Sequence, residues 1–166
     1  MPKKMLLLAF LAQVAGLNRF DPETEKFTRF ISDPKKPESL SDWICYAIEE
    51  DRYGNIWVGT PNGLNRLEKG TYTITRFLYG RNLNERKSEG NILEVHEGPE
   101  GNLWLGTWGG GLVKLDPTTG RYRKYVHNPH DPGSIPSDIA IRITEEAEGQ
   151  FLIGGGNGFL RRLNTL

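Results

Sequence analysis

The chain has 166 residues, and its 21 lysines and arginines balance 21 aspartates and glutamates. This balance leaves no overall positive field to attract a polyanion, so nucleic acid is not expected as a partner. The 20 glycines and 10 prolines favour many turns and short strands rather than a fold built on long helices.

The first segment, residues 1–15, allows two interpretations. Two lysines precede an apolar run at 5–12, as in the charged and hydrophobic regions of a secretory signal. The run is too short to cross a membrane as a helix. Alternatively, the segment is a degenerate strand. Its residue Phe10 lies 47 residues before Trp57, and 47 residues is also the spacing of an internal repeat in this chain. Both interpretations stay open at this point.

Residues 43–78 show a pattern of four short strands, called A to D in chain order. The strands are rich in β-branched and aromatic residues and are bounded by turn residues. Pro61-Asn62-Gly63 supplies a tight turn between strands B and C, and Asp-Pro steps at 21–22 and 116–117 predict turns between C and D. We expect strands A, B, C and D at about 43–49, 56–60, 64–67 and 72–78.

The pattern recurs about every 47 residues. A strand B motif, Gly-Asn-x-Trp-x-Gly-Thr, stands at 54–60 and 101–107 and returns in decayed form at 149–155. Its residues are Gly54, Asn55, Trp57, Gly59 and Thr60 in one copy and Gly101, Asn102, Trp104, Gly106 and Thr107 in the next. Three further markers keep the period: a glycine opening strand C at Gly16, Gly63, Gly111 and Gly158, an aromatic residue at Phe30, Phe77 and Tyr125, and an isoleucine at Ile44, Ile92 and Ile139.

Strand B is apolar on successive residues, as in Ile56-Trp57-Val58, so both faces of its sheet must be covered. Sheets stacked side by side around an axis achieve this, which is the propeller arrangement. Trp57 and Trp104 would then fill the space between neighbouring sheets, and Gly59 and Gly106 would permit close approach of the backbone. The expected fold is all-β, a partial β-propeller of about 3.5 four-stranded antiparallel blades.

The repeat divides the chain into successive units. After the first segment come a partial first blade and linker at 16–42, blades at 43–91 and 92–138, and an incomplete last blade at 139–166. Because propellers usually have about 4–8 blades, the chain is expected to be a fragment or one part of an assembly. Missing blades or a second copy of the chain are the expected partners.

Combined at one period, the strand B motif, Gly-Leu-Asn-Arg and Asp-Pro-x-Thr-Gly resemble the two-component regulator propeller repeat, as does Ser-Leu-Ser-Asp at 39–42. The resemblance implies a periplasmic sensor joined through a membrane helix to a histidine kinase or another output domain. Many members of this family recognise glycan breakdown products, so a small glycan is an expected ligand. No phosphate loop, metal cluster or nucleophile–base pattern is found in the sequence, and no cofactor is expected.

The B–C turns and D–A links gather on one face of the stack, where loops on a rigid scaffold often carry function. The ligand-contact candidates there are Trp108, Asn62, Asn157 and Arg81. Trp108 is predicted either to stack on a sugar ring or to pack on a neighbouring loop. Glu49-Glu50 and Glu145-Glu146 resemble the paired carboxylates of glycosidases, but their recurrence favours a structural or solvent role. Cys45, in an apolar run, is expected to be a small buried residue.

The expected function is therefore non-catalytic ligand recognition in a two-component regulator. One alternative is a propeller enzyme resembling streptogramin lyases, which need histidine and glutamate to converge at the centre. The three histidines occupy unlike repeat positions, which disfavours that alternative. The other alternative is a passive scaffold for protein interactions.

Overall fold

The computed structural model describes residues 7–9, 16–77, 90–147 and 150–164. In these ranges the chain forms four antiparallel sheets, numbered 1 to 4 in chain order. Sheet 1 contains β1 (Leu7–Ala9), β2 (Leu17–Asp21) and β3 (Lys26–Phe30), and sheet 2 contains β4 (Ala47–Glu50), β5 (Ile56–Thr60), β6 (Gly63–Leu67) and β7 (Ile74–Phe77). Sheet 3 contains β8 (Ile92–Glu97), β9 (Leu103–Thr107), β10 (Leu112–Leu115) and β11 (Tyr122–Tyr125), and sheet 4 contains β12 (Ala140–Ala147), β13 (Gln150–Gly155) and β14 (Leu160–Asn164).

Each sheet is a meander in which every strand pairs with its neighbours in sequence. Sheets 2 and 3 contain all of strands A to D, whereas sheet 1 contains B to D and sheet 4 contains A to C. The A strands of successive sheets adjoin, because β8 lies against β4 on one side and β12 on the other. This side-by-side stacking confirms the prediction of an all-β, partial propeller. Among the described residues, no helix is long and apolar enough to cross a membrane.

Apolar clusters lie between successive sheets, and the two motif tryptophans occupy matching places in them. Trp57 packs with Ile92 and Val95 of sheet 3, and Trp104 packs with residues of sheet 4 that include Ile143. The indoles are only 1% and 2% exposed. Each also contacts the strand D aromatic of its own sheet, with ring centroids 5.0 Å apart for Trp57–Phe77 and 5.7 Å apart for Trp104–Tyr125. The tryptophans are therefore the filler between sheets that the repeat predicts.

The glycine after each tryptophan allows the next sheet to approach. A Cβ added to Gly59 would lie 2.8 Å from the carbonyl oxygen of Ile92, and one added to Gly106 would lie 2.5 Å from that of Ala140. Both oxygens belong to the A strand region of the next sheet. Any side chain at these two positions would push that strand away.

The threonine that ends the motif closes the turn between strands B and C. Thr60 Oγ1 donates a hydrogen bond to the carbonyl oxygen of Gly63 at 2.9 Å, and Thr107 Oγ1 donates to that of Gly111 at 2.8 Å. Each hydroxyl also accepts a backbone N–H from within its turn. The motif thus fixes both the spacing of the sheets and the loops at one end of them.

The first strand of sheet 2 is shorter than predicted. β4 begins at Ala47, so the expectation of a strand from Trp43 is wrong. The N–H of Ile44 donates to Asp42 Oδ1 at 3.0 Å, and the N–H of Gly16 donates to the carbonyl oxygen of Trp43 at 3.1 Å. These bonds hold the residues before β4 in the link between sheets 1 and 2.

The register of β1 differs from that expected at the N-terminus. Leu7 pairs with Arg19, and Trp57 pairs with Arg66, the matching residue one repeat later. Leu7 therefore takes the position of Trp57, and the prediction that Phe10 takes it is wrong. Phe10 itself lies outside the described residues. The pairing of β1 with β2 supports the strand interpretation of this segment.

Strand C of sheet 4 is shifted by one residue relative to the marker glycine. Gly106 pairs with Leu112 in sheet 3, whereas the matching Gly154 pairs with Leu160 rather than with Phe159. Because side chains alternate between the faces of a sheet, such a shift exchanges their faces. Phe159 therefore packs into the cluster between sheets 3 and 4, and Leu160 takes the register position of Leu112. Leu112 is fully buried there by sheet 4, whereas no described sheet covers Leu160, which is 70% exposed.

Candidate functional site

A cleft of about 350 Å³ opens beside the link between sheets 1 and 2. The link runs from the end of β3 to the start of β4, and the B–C turn of sheet 2 borders it on the same end of the stack. This is the loop face that the sequence predicts as functional. The lining residues are Ser32, Pro34, Ser41, Asp42, Trp43, Asn62 and Arg76.

Trp43 is an aromatic residue of the cleft lining, and 58% of the residue is exposed. Its own carbonyl oxygen is held by the N–H of Gly16, and the next peptide is held by Asp42. The backbone on both sides of the indole is therefore fixed although the indole itself contacts solvent. An exposed aromatic side chain on a fixed backbone can bind a flat apolar ligand surface at little cost in conformational entropy.

The polar side of the cleft is formed by Asp42 and Asn62. Asn62 Nδ2 donates to Asp42 Oδ2 at 2.7 Å, so the link and the B–C turn are joined directly. Both side chains keep further hydrogen-bonding capacity, since a carboxylate has about four acceptor sites and a primary amide has two donors and an acceptor. Hydroxyl groups of a ligand beside the indole could bond to either side chain.

A buried polar network forms the floor of the cleft. Asn65 Oδ1 accepts the N–H of Ser41 at 2.8 Å, and Asn65 Nδ2 donates to Ser41 Oγ at 2.8 Å. Ser41 Oγ also lies 2.8 Å from Thr60 Oγ1. Asn65 and Thr60 are both fully buried. The network ties the link to strands B and C of sheet 2.

Arg76 and Ser39 hold the outer part of the link. Arg76 Nε donates to the carbonyl oxygen of Ser39 at 2.8 Å, and its Nη2 lies 3.1 Å from the carbonyl oxygens of Lys36 and Leu40. Ser39 Oγ accepts the N–H of Asp33 at 2.8 Å and lies 2.8 Å from the carbonyl oxygen of Lys36. The outer part of the link is thus an ordered loop that is held by strand D of sheet 2 and by hydrogen bonds within the loop.

The link between sheets 3 and 4 repeats the serine arrangement. Ser134 Oγ accepts the N–H of Asn128 at 2.9 Å and lies 2.7 Å from the carbonyl oxygen of Asp131. At the place of Trp43, this link has Asp138, whose carbonyl oxygen accepts the N–H of Gly111 at 2.8 Å. The two links therefore share a backbone arrangement and differ in the side chain presented beside the B–C turn.

The four predicted ligand-contact residues do not lie together in the cleft. Asn62 lines the cleft. Trp108 stands in the B–C turn of sheet 3, 50% exposed, and forms a backbone bridge with Ile139. The backbone of Asn157 lies in a 3-10 turn, and Arg81 lies outside the described residues. Ligand contact by all four remains a prediction.

Trp43 and Arg76 were missed as cleft residues. Trp43 stood in an apolar run that the sequence assigned to strand A. The signal that could have located it is the preceding Ser-Leu-Ser-Asp, whose aspartate holds the N–H of Ile44 and so delays the strand. Arg76 sits in the middle of a predicted strand, where an exposed side chain is the ordinary expectation.

Cys45 is fully buried, as predicted. Burial, with a smaller contribution from the nearby Asp42 carboxylate, raises the pKa of the Cys45 thiol to about 12. A thiol with such a pKa is almost entirely protonated at neutral pH and is a poor nucleophile. Cys45 is therefore part of the packing between sheets 1 and 2.

A second polar group lies on the adjoining A strands. His96 of β8 stands between two carboxylates, with Nδ1 3.7 Å from Glu49 Oε1 of β4 and Nε2 3.5 Å from Glu145 Oε2 of β12. The repeat pattern did not predict this contact of His96 with two glutamates of neighbouring sheets. Burial raises the pKa of the Glu49 carboxyl.

Stacked antiparallel sheets with tryptophan between them define a segment of a β-propeller. Comparison with protein families matches residues 39–62 to the two component regulator propeller. This segment contains Asp42, Trp43 and Asn62, so the matched repeat includes the centre of the cleft. The resemblance predicted from the motifs is confirmed for residues 39–62, which match one two component regulator propeller repeat. Comparison with curated protein sequences gave no match.

The fold is shared with extracellular domains of bacterial signalling systems. The extracellular domain of a hybrid two component system from B. thetaiotaomicron is similar with a TM-score of 0.78 and 24% identity, over 96% of this chain and 20% of that one. The extracellular domain of a one component system from the same organism gives a TM-score of 0.75 and 20% identity, again over 96% and 20%. The chain thus spans about a fifth of the length of these structures.

An enzyme has a related arrangement of sheets at lower similarity. A catalytically inactive variant of virginiamycin B lyase from Staphylococcus aureus, with quinupristin, has a TM-score of 0.55 and 17% identity, over 97% of this chain and 59% of that one. At these identities the likeness shows the fold alone.

Proposed function

We propose that the chain is a ligand-recognition module of a periplasmic two-component signalling protein and that the cleft beside the first link is its binding site. The repeat at residues 39–62 and the fold shared with extracellular domains of signalling systems support this function. The observation that carries the proposal is the exposed indole of Trp43 beside the hydrogen-bonded Asp42–Asn62 pair.

A small glycan is the proposed ligand. Sugar rings have an apolar face of C–H groups and an edge of hydroxyls. The indole of Trp43 offers a broad apolar surface, and Asp42 and Asn62 offer acceptors and donors for hydroxyls at its edge. Binding sites commonly combine an apolar surface with a few placed polar groups. Trp108, in the B–C turn of sheet 3, is a second proposed stacking surface on the same face.

The proposed signal passes from the link into sheet 2. A ligand on Trp43 contacts a loop that is bonded to strands B and C through Ser41 and to strand D through Arg76. A displacement of this loop by the ligand would shift the packing of sheet 2 against its neighbours, and an output domain such as a histidine kinase in the parent protein would respond to that shift.

The test is binding of a panel of neutral and acidic oligosaccharides, measured by calorimetry and by tryptophan fluorescence. We expect at least one member to bind the wild-type chain and Trp43→Ala to weaken that binding at least 10-fold, about 1.4 kcal/mol. Asn62→Ala should weaken binding less, because the indole supplies most of the contact area.

Tyr53→Ala is the matched control. Tyr53 is 72% exposed and lies in the A–B turn, at the opposite end of sheet 2, so its loss should leave binding unchanged. Equal binding by wild type and Trp43→Ala would remove the cleft from the proposal, and weakening by Trp108→Ala alone would move the site to sheet 3. Failure of every oligosaccharide to bind would leave the passive scaffold as the better function.

The lyase alternative has one observation in its favour. An imidazole between two carboxylates, as in Glu49–His96–Glu145, is a suitable arrangement for general acid–base catalysis. Incubation with quinupristin, followed by chromatography, tests it. Conversion that is lost in His96→Gln would establish an enzyme, whereas unchanged quinupristin agrees with the proposed recognition function.

A further inference from the structure

Three titratable side chains form a row across the A strands of sheets 2, 3 and 4. Glu49 lies on β4, His96 on β8 and Glu145 on β12. Glu49 and His96 hold matching positions, since each is paired with the motif tryptophan of its own sheet. Both contacts of the imidazole, at 3.7 Å and 3.5 Å, therefore cross from one sheet to the next.

The row is largely shielded from solvent. The side chains of Glu49, His96 and Glu145 are 30%, 24% and 29% exposed. The imidazole packs edge-on against Phe151 with ring centroids 5.6 Å apart, and its Nε2 is buried without a hydrogen bond to any described residue. Glu49 Oε1 is held towards the ring by the backbone N–H of Glu97 at 3.2 Å. Interactions here are less screened than on the open surface.

A neutral imidazole cannot satisfy both carboxylates. It has one N–H donor and one lone pair, whereas the protonated ring has two donors. With the ring neutral and both carboxyls ionised, one carboxylate faces the lone pair. One added proton, on the ring or on that carboxyl, turns the unfavourable contact into an attractive one. Because the contacts cross between sheets, the proton would affect how three sheets pack.

Other charges near the row have their own partners. Glu94, on the same strand as His96, pairs with Arg142 of β12 at 3.0 Å. Arg52, after β4, holds Glu97 at 2.7 Å. Arg162 of β14 holds Glu146, the neighbour of Glu145, at 2.8 Å. These three arginines are thus paired with Glu94, Glu97 and Glu146, the carboxylates that flank the row.

We propose that the Glu49–His96–Glu145 row is a proton-operated clamp that tightens the packing of sheets 2, 3 and 4 when it takes up a proton. Burial, which raises the pKa of the Glu49 carboxyl, acts in the same direction. A group whose pKa is higher in the folded than in the unfolded chain stabilises the fold at low pH, and this contribution is lost as pH rises through the folded pKa. The clamp therefore stabilises the packing of the three sheets at acidic pH.

Thermal unfolding of the chain between pH 5 and pH 8 tests the clamp. The quantity to follow is the difference in Tm between wild type and His96→Gln at each pH. We expect wild type to be favoured at pH 5 and the advantage to shrink by about 2–4 °C by pH 8, a shift typical of one ionic interaction in a chain of this size. Glu145→Gln should reduce the pH dependence too, since a neutral ring then faces a single carboxylate.

His130→Gln is the control, because His130 is exposed and its removal should leave the pH dependence of Tm as in wild type. A difference between wild type and His96→Gln that is the same at every pH would mean that the ring only fills space, and the clamp would be rejected. The same conclusion would follow if Glu145→Gln, which keeps size and shape, retained the full pH dependence.

Discussion

Two non-glycine residues lie in the left-handed region of backbone space at the same place in the repeat. Glu25 has φ +54° and Tyr72 has φ +56°, and the matching residue of the third copy, Gly120, has φ +71°. All three stand in the turn between strands C and D. A left-handed conformation costs a residue with a Cβ about 1–2 kcal/mol, so two of the three turns are strained.

We expect Glu25→Gly to stabilise the chain by about 0.5–1 kcal/mol, because Glu25 is exposed and glycine adopts a positive φ without strain. Gly120→Ala should destabilise it by about 1 kcal/mol, since no atom lies near the added Cβ and backbone strain is the main cost. Urea unfolding of both variants measures these changes. The two variants should change the free energy of unfolding in opposite directions. A loss of stability in Glu25→Gly would contradict the explanation by backbone strain.

Residue roles that recur at one period could be predicted from the sequence. Trp57 and Trp104 fill matching spaces because the same residue type returns at the same strand position, and the glycines beside them follow the same logic. Trp43 and His96 could not be predicted in this way. The exposure of Trp43 depends on a bond from Gly16, which is distant in sequence, and the contacts of His96 depend on how neighbouring sheets stack.

The spacing between sheets depends on the motif glycine. Gly106 lies so close to Ala140 that an added Cβ would be 2.5 Å from its carbonyl oxygen. The matching Gly154 of sheet 4 has only Arg142 Cβ near an added Cβ, at 3.9 Å. The motif glycine is thus closely approached by the next sheet at Gly106 but not at Gly154. A comparison of these two residues offers a direct test of its role.

Gly106→Ala should destabilise the chain by about 1–3 kcal/mol, the usual cost of an overpacked core. Gly154→Ala should be nearly neutral, because its new methyl group would make an ordinary contact. Thermal unfolding of the two variants provides the comparison. Equal losses in both would show that glycine acts within its own strand and does not set the distance between sheets.

Strand boundaries and register were the least predictable features of the elements. The B and C strands of sheets 2 and 3 agree with the sequence because tight turns fix them. The register of sheet 4 did not follow from its marker glycine, since a 3-10 turn replaces the tight hairpin and places Leu160 opposite Gly154. A change of turn geometry by one residue is invisible to a periodic pattern but reverses a strand's faces.

The two outermost described sheets each present apolar side chains away from the stack. In sheet 1, Leu17 faces sheet 2, so Phe20, which pairs with Phe27, faces the other way, and Phe27 is 57% exposed. In sheet 4, Ile153 faces sheet 3 and Leu160 projects from the opposite face. Exposed apolar sheet faces favour association.

We therefore expect the 166-residue chain to self-associate at micromolar concentration, as a second copy covers these faces. Sedimentation velocity measures the assembly, and Phe27→Lys or Leu160→Lys should shift it towards the monomer. Tyr53→Lys, on an exposed turn, is the control for added charge. A stable, soluble monomer of the wild-type chain would contradict this prediction.

The two serine-held links suggest how one architecture can acquire different specificities. Ser39 and Ser134 organise their loops through backbone atoms, so the loop of Trp43 is shaped by bonds that do not involve the indole, whereas Asp138 Oδ1 accepts the N–H of His127 at 2.6 Å and helps to hold its own loop. Tryptophan occupies the display position in one loop and aspartate in the other. Exchange of the residue at Trp43, which is 58% exposed, should leave the interior undisturbed, which makes this position a natural target for grafting new recognition chemistry.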